Sequence, residues 1–147
     1  MGRITVSETI SAPVSAVFAY VDDYRNTTKY MKDMTKWEPA GSQTHGLGSR
    51  FALSMKVGPL NIDGEVEIDT WVENQAIGWK TLKGFKQDGS WSFEEKGGGT
   101  EATFSVDLDL PGGIAGKMMA KAVEPAIKAT LEGSVKQLKA QTEKLGT

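Results

Sequence analysis

Residues 60–72 alternate between two chemistries along thirteen positions. Leu60, Ile62, Gly64, Val66, Ile68, Thr70 and Val72 share one parity; Asn61, Asp63, Glu65, Glu67, Asp69 and Trp71 share the other. A period of two belongs to a strand with one face against an interior and one against water. A helix would scatter the four acids around its axis, so it is excluded here. The neighbouring segments repeat the pattern. Phe51, Leu53, Met55 and Val57 alternate with Ala52, Ser54 and Lys56, while Phe104, Val106, Leu108 and Leu110 oppose Thr103, Ser105, Asp107 and Asp109. Ile77 with Trp79, and Trp91 with Phe93, mark two more strands.

Gly58-Pro59, Gly84-Phe85-Lys86 and Gly97-Gly98-Gly99 punctuate these segments. No helical pattern lies between them, so the strands join by short turns into an antiparallel meander. Upstream, Arg3 to Ile10 is a further alternating strand. Ser11-Ala12-Pro13 ends it, and Pro13 suits the first turn of a helix carrying Val14, Val17, Phe18 and Val21. Asp22-Asp23 can cap a second short helix from Tyr24 to about Met31.

Downstream, Pro111-Gly112-Gly113 breaks the last strand. Ile114, Met118, Ala122, Ala126 or Ile127, Leu131, Val135, Leu138 and Leu145 then recur at helical spacing. This predicts an amphipathic helix of about 30 residues, roughly 45 Å long. Pro125 lies inside it and predicts a bend. A one-faced sheet needs a cover, and the only large one available is this helix. The expectation is an α+β fold: a curved antiparallel sheet of about seven strands around the helix, with residues 1–147 forming one domain.

The bulk properties narrow the function classes. There are no cysteines, which removes disulfides and thiolate metal sites. Lys plus Arg total 17 against 19 for Asp plus Glu, too balanced to argue for nucleic acid. Residues 1–8 lack a signal-peptide core, Val6 stands where a myristoylation motif wants Ser or Thr, and no stretch approaches a membrane span. A cytoplasmic location without integral membrane association is the expectation.

In the order and spacing of several short motifs the chain resembles the START-like superfamily (SRPBCC). This is the polyketide cyclase/dehydrase and lipid-transport group with the helix-grip fold. The carriers are Ile10-Ser11-Ala12-Pro13 followed by Val17-Phe18, the turn Gly46-Leu47-Gly48-Ser49-Arg50, Ile77-Gly78-Trp79, Gly99-Thr100, and Pro111-Gly112-Gly113. The resemblance covers nearly the whole chain and implies a fold rather than one activity, because the superfamily hosts carriers, receptors and cyclases.

A sheet curled around one helix leaves volume that side chains do not fill. Strand parity aims Phe51, Leu53, Met55, Ile62, Val66, Ile68, Ile77, Trp79, Trp91, Phe93, Phe104, Val106 and Leu108 inward, with Met118, Met119, Val123 and Ile127 from the helix. Tyr30, Thr81, Ser49 and Thr70 are the inward polar positions able to orient a ligand. Successive turns alternate between the sheet ends. Gly58, Pro59, Gly84, Phe85, Gly112 and Gly113 therefore share one end with the two short helices, and in the resembled family the cavity opens there. The loops around His45-Gly46 and Gly97-Gly99 fall at the other end.

Catalytic equipment is sparse. His45 is the only histidine and sits in a turn away from that entrance. Asp63, Glu65, Glu67, Asp69, Asp107, Asp109 and Arg50 fall on the outward parity. The expectation is no catalytic residue, no metal and no cofactor. The leading function is binding or carrying a small hydrophobic molecule of lipid, isoprenoid or polyketide type. The alternatives are a cyclase/dehydrase-type enzyme that orients its substrate, and a protein-interaction module. Lys117, Lys121, Lys128, Lys136, Lys139 and Lys144 would suit an anionic membrane surface or a protein partner, and a solvated helix face accounts for them equally well.

Overall fold

The computed structural model describes residues 3–57, 60–84, 86–109 and 113–145. Strands β1 (Arg3–Ile10), β2 (Met34–Pro39), β3 (Arg50–Val57), β4 (Leu60–Val72), β5 (Ala76–Lys83), β6 (Gln87–Lys96) and β7 (Gly99–Leu108) form one antiparallel sheet. Its order is β1-β7-β6-β5-β4-β3-β2. Helices α1 (Val14–Asp22) and α2 (Thr27–Tyr30) flank a 3-10 turn at Tyr24–Asn26, and α3 (Gly113–Leu145) ends the chain.

Local chemistry sets these boundaries. Pro13 stands at the N-cap of α1, one position before the first turn, and its carbonyl accepts from the Ala16 and Val17 amides. The Asp23 carboxylate caps the 3-10 turn by accepting from the Arg25 amide at 3.0 Å. Along the sheet the acids meet cations across neighbouring strands: Arg50 with Glu67 at 3.2 Å, Lys83 with Glu65 at 3.5 Å, and Lys86 with Asp107 at 3.1 Å. Pairs this open to solvent add little stability, and they mark this as the water face.

The opposite face buries Phe51, Leu53, Ile62, Val66, Ile68, Ile77, Trp79, Trp91, Phe93, Phe104 and Leu108. Trp91 stacks on Phe104 with ring centroids 4.4 Å apart, and Trp37 on Phe51 at 5.2 Å. Over these α3 lays Ile127, Leu131, Val135 and Leu138, all on its C-terminal side of Pro125. Its last turns are tied to the β1–α1 junction: Lys139 Nζ donates to the Thr9 carbonyl at 2.7 Å, and the Ser11 amide to Glu143 Oε2 at 2.7 Å. The lysine pulls the Glu143 carboxyl below its usual range.

Three sequence expectations need correction. The alternation of β4 does not run to its end, because the ladder with β5 slips between Ile68 and Thr70. A bulge inserts one residue and reverses parity beyond it. Thr70 and Val72 therefore face water, while Trp71 turns inward against Phe18, 5.6 Å between centroids. Secondly, the two short helices do not sit at one end of the sheet. The C-terminus of α1 reaches the His45 loop, whereas the turn after α2 meets β3, with the Lys56 amide donating to the Asp33 carbonyl at 2.9 Å.

The third correction concerns the start of α3. Met118 is 70% exposed, Met119 37% and Ile114 80%. At 1.5 Å per residue a 33-residue helix runs about 50 Å, while a ten-residue strand runs about 33 Å. The helix outreaches the sheet it covers, and Ile114, Met118 and Met119 in its first turns stay exposed. It continues unbroken through Pro125.

Candidate functional site: an apolar cavity beneath the long helix

Strands β5 and β6 pair only from Ala76 to Trp79. Beyond that they part, and Thr81 bridges the gap. Its amide and hydroxyl both donate to Asp88 Oδ1 at 2.9 Å, and the Gln87 amide donates to Thr81 Oγ1 at 2.8 Å. Between this part of the sheet and α3 lies a cavity of about 250 Å³. Leu53 and Met55 of β3, Trp79 of β5, and Phe104, Val106 and Leu108 of β7 form its floor; Ala126, Ile127, Thr130, Leu131 and Ser134 of α3 form its roof. Met31 and Met34 close one side, with Lys32, Asp33 and Lys56 exposed at the rim. An apolar cavity of about 150 Å³ already holds benzene, so this one has room for a larger organic molecule.

Two hydrogen bonds fasten the rim to the roof. The Lys32 amide donates to Ser134 Oγ at 2.8 Å, and Thr130 Oγ1 donates to Asp33 Oδ2 at 3.0 Å. Asp33 adopts the left-handed conformation, φ 66°, which turns the chain sharply there.

One wall residue breaks the apolar pattern. Gln87 is 5% exposed, and neither its amide nitrogen nor its amide oxygen has a hydrogen-bond partner. The side chain lies over Gly64, where any β-carbon would collide with the amide nitrogen. Sequence reasoning missed it, although Gln87 shares the parity of Gly89, Trp91 and Phe93 on β6.

Trp79 and Met31 separate this cavity from a second void of about 40 Å³ near the other end of the sheet. Trp79 is held there because its ring lies directly on Gly89. Tyr30, Phe51, Ile68, Trp71 and Trp91 line the smaller void, which has room for little more than water. At its edge His45 Nε2 lies 2.6 Å from Asp22 Oδ2, and the Trp71 indole N–H donates to Asp22 Oδ1 at 2.8 Å. His45 is exposed, yet it is fixed by that carboxylate and by an edge-on contact with Trp71, 5.2 Å between centroids. No local sequence signal points to this cluster. Burial pushes the Tyr30 hydroxyl well above the usual phenol range, so it stays neutral and is a poor proton donor or base.

The structure sorts the remaining sequence candidates. Leu53, Met55, Trp79, Phe104 and Val106 line the large cavity. Tyr30, Phe51, Ile68 and Trp91 line the small void, while Val66 and Phe93 are buried in the core and line neither. Thr81 and Ser49 have their hydroxyls engaged, Ser49 by the Gly46 carbonyl at 2.6 Å. Met118 and Met119 are outside, and Val123 is half-buried against the core. Of the entrance residues, Gly84 and Gly113 are exposed and do not line the cavity. Gly58, Pro59, Phe85 and Gly112 lie outside the described residues. Among the described residues no group of three or more His, Asp or Glu side chains could hold a metal, and no helix is long and apolar enough to cross a membrane.

Known structures share this architecture. The protein TTHA0849 from Thermus thermophilus is 18% identical with a TM-score of 0.84, each chain covered over 99%. A START superfamily protein from Mycobacterium smegmatis is 16% identical with a TM-score of 0.79, again over 99% of each chain. The Zhui aromatase/cyclase from Streptomyces sp. R1128 is 13% identical with a TM-score of 0.79, covering 96% of this chain and 93% of that one. At such identities the likeness is one of fold. No curated protein matches the chain by sequence. A family model described as polyketide cyclase / dehydrase and lipid transport matches residues 1–143, and the chain belongs to that family.

Proposed function

We propose that this protein binds and carries a small apolar molecule in the 250 Å³ cavity without transforming it. The observation that carries the reading is the wall chemistry. Leu, Ile, Met, Val, Phe and Trp side chains surround the space, and its ionisable residues Lys32, Asp33 and Lys56 stand exposed at the rim. A ligand burying ~300 Å² of apolar surface gains roughly 7 kcal/mol, and association costs of about 4 kcal/mol or more bring apolar burial alone to millimolar affinity or weaker. A cyclase would need a group that moves a proton beside its substrate. Asp33, Lys32 and Lys56 are exposed at the rim, and the hydrogen-bonded pair of Asp22 with His45 adjoins the smaller void instead.

The test is a cavity-filling variant. Val106 is half-buried and points into the space, so Val106→Phe occupies it from the floor. Binding of 2-acetylnaphthalene is read by quenching of tryptophan emission, since Trp79 lines the site. The variant should bind about tenfold more weakly or worse while melting no lower than the parent. Equal affinity would place the ligand elsewhere.

The exposed start of α3 supports a partner as well. Ile114 and Met118 protrude beside Lys117 and Lys121, a pairing that suits an anionic membrane surface from which an apolar cargo is loaded. Sedimentation with vesicles containing phosphatidylserine should exceed that with pure phosphatidylcholine and should fall on Met118→Glu. Indifference to both lipid charge and substitution would reject the membrane partner.

A further inference from the structure

We propose that Gln87 is the polar anchor of the cavity, selecting ligands whose apolar body ends in a neutral, adjacent hydrogen-bond acceptor and donor, as in a primary amide or a lactam. This rests on the ligand-binding reading above. Gln87 lines the cavity, is 5% exposed, and leaves both amide atoms unpartnered. A buried polar group without partners costs stability, and a methionine would fill the same space without that cost. The Gln87 backbone amide donates to Thr81 Oγ1, whose hydroxyl in turn donates to the Asp88 carboxylate, so the strand start is held without the Gln87 side chain. Gly64 leaves room for the amide, since a β-carbon at that position would collide with it.

The chemistry of the partner follows from the carboxamide itself. It presents one acceptor and an N–H donor side by side. A cis-oriented amide answers both at once, whereas a hydrocarbon answers neither. A carboxylate accepts from Nε2 but sets its charge against Oε1, in a site whose surroundings disfavour charge.

Three probes of matched shape test this: 2-naphthamide, 2-naphthoate and 2-isopropylnaphthalene, titrated calorimetrically into the parent protein and Gln87→Met. The parent should prefer the amide over both others by about tenfold or more. Gln87→Met should lose that preference, keep the hydrocarbon, and melt higher than the parent because the orphaned amide is gone. A parent that binds the hydrocarbon as tightly as the amide, or a preference that survives in Gln87→Met, overturns the anchor and leaves the cavity reading intact. Failure of all three probes to bind the parent overturns the cavity reading itself. The parent comparison stands whether or not the variant folds.

Discussion

Replacing Val66 with arginine is expected to leave little folded protein at room temperature, whereas Glu67→Gln should melt within a few degrees of the parent. Val66 is fully buried, paired with Phe51 on β3 and Thr81 on β5 at the centre of the inner face. A guanidinium there would be an unpaired buried charge, costing about 4 kcal/mol or more. Domains of this size have about 5–15 kcal/mol in total, and the added volume would strain the packing further. Glu67, one residue on, meets Arg50 and Lys80 at 3.2 and 3.6 Å on the water face. Losing such pairs costs about 1 kcal/mol or less. Thermal melts followed by circular dichroism read both. Similar melting temperatures would show that the register of β4 is wrong by one residue.

The second large effect separates the two halves of α3. Leu138→Ala should destabilise by about 2–5 kcal/mol, because Leu138 has no exposed surface and its removal leaves a hole. Met118→Ala, on the same helix, should change stability by about 0.5 kcal/mol or less, since that side chain is 70% exposed. Urea midpoints with unchanged slopes check both values. A large loss at Met118 would mean that its side chain is packed against something in solution.

Much of this architecture is legible in the chain, and the gaps have identifiable causes. The alternation in β3, β4 and β7 and the single terminal helix are sufficient for a sheet with one cover. The bulge after Ile68 escapes because a slipped ladder leaves the written alternation intact; the one hint is a tryptophan, Trp71, on a parity otherwise occupied by polar and acidic residues. The exposure of Met118 and Met119 escapes because helical spacing is indifferent to what lies beneath. Only comparing the 33-residue helix with ten-residue strands reveals the overhang. Gln87 escapes because β6 announces itself at Trp91, four residues after the strand begins. The meeting of Asp22, His45 and Trp71 is a tertiary contact between three separate elements, beyond the reach of local pattern.

If a ligand resides in the space between the parted strands and α3, the methyl groups around that space must sense it. Methyl-resolved NMR of the protein titrated with 2-acetylnaphthalene reads them one by one. Shifts should concentrate on Met34, Leu53, Met55, Leu108, Ile127 and Leu131, which line the cavity, with Met118 and Leu145 unmoved on the surface. Shifts confined to Ile114, Met118 and Leu145, or none at millimolar ligand, would rule the cavity out as the binding site.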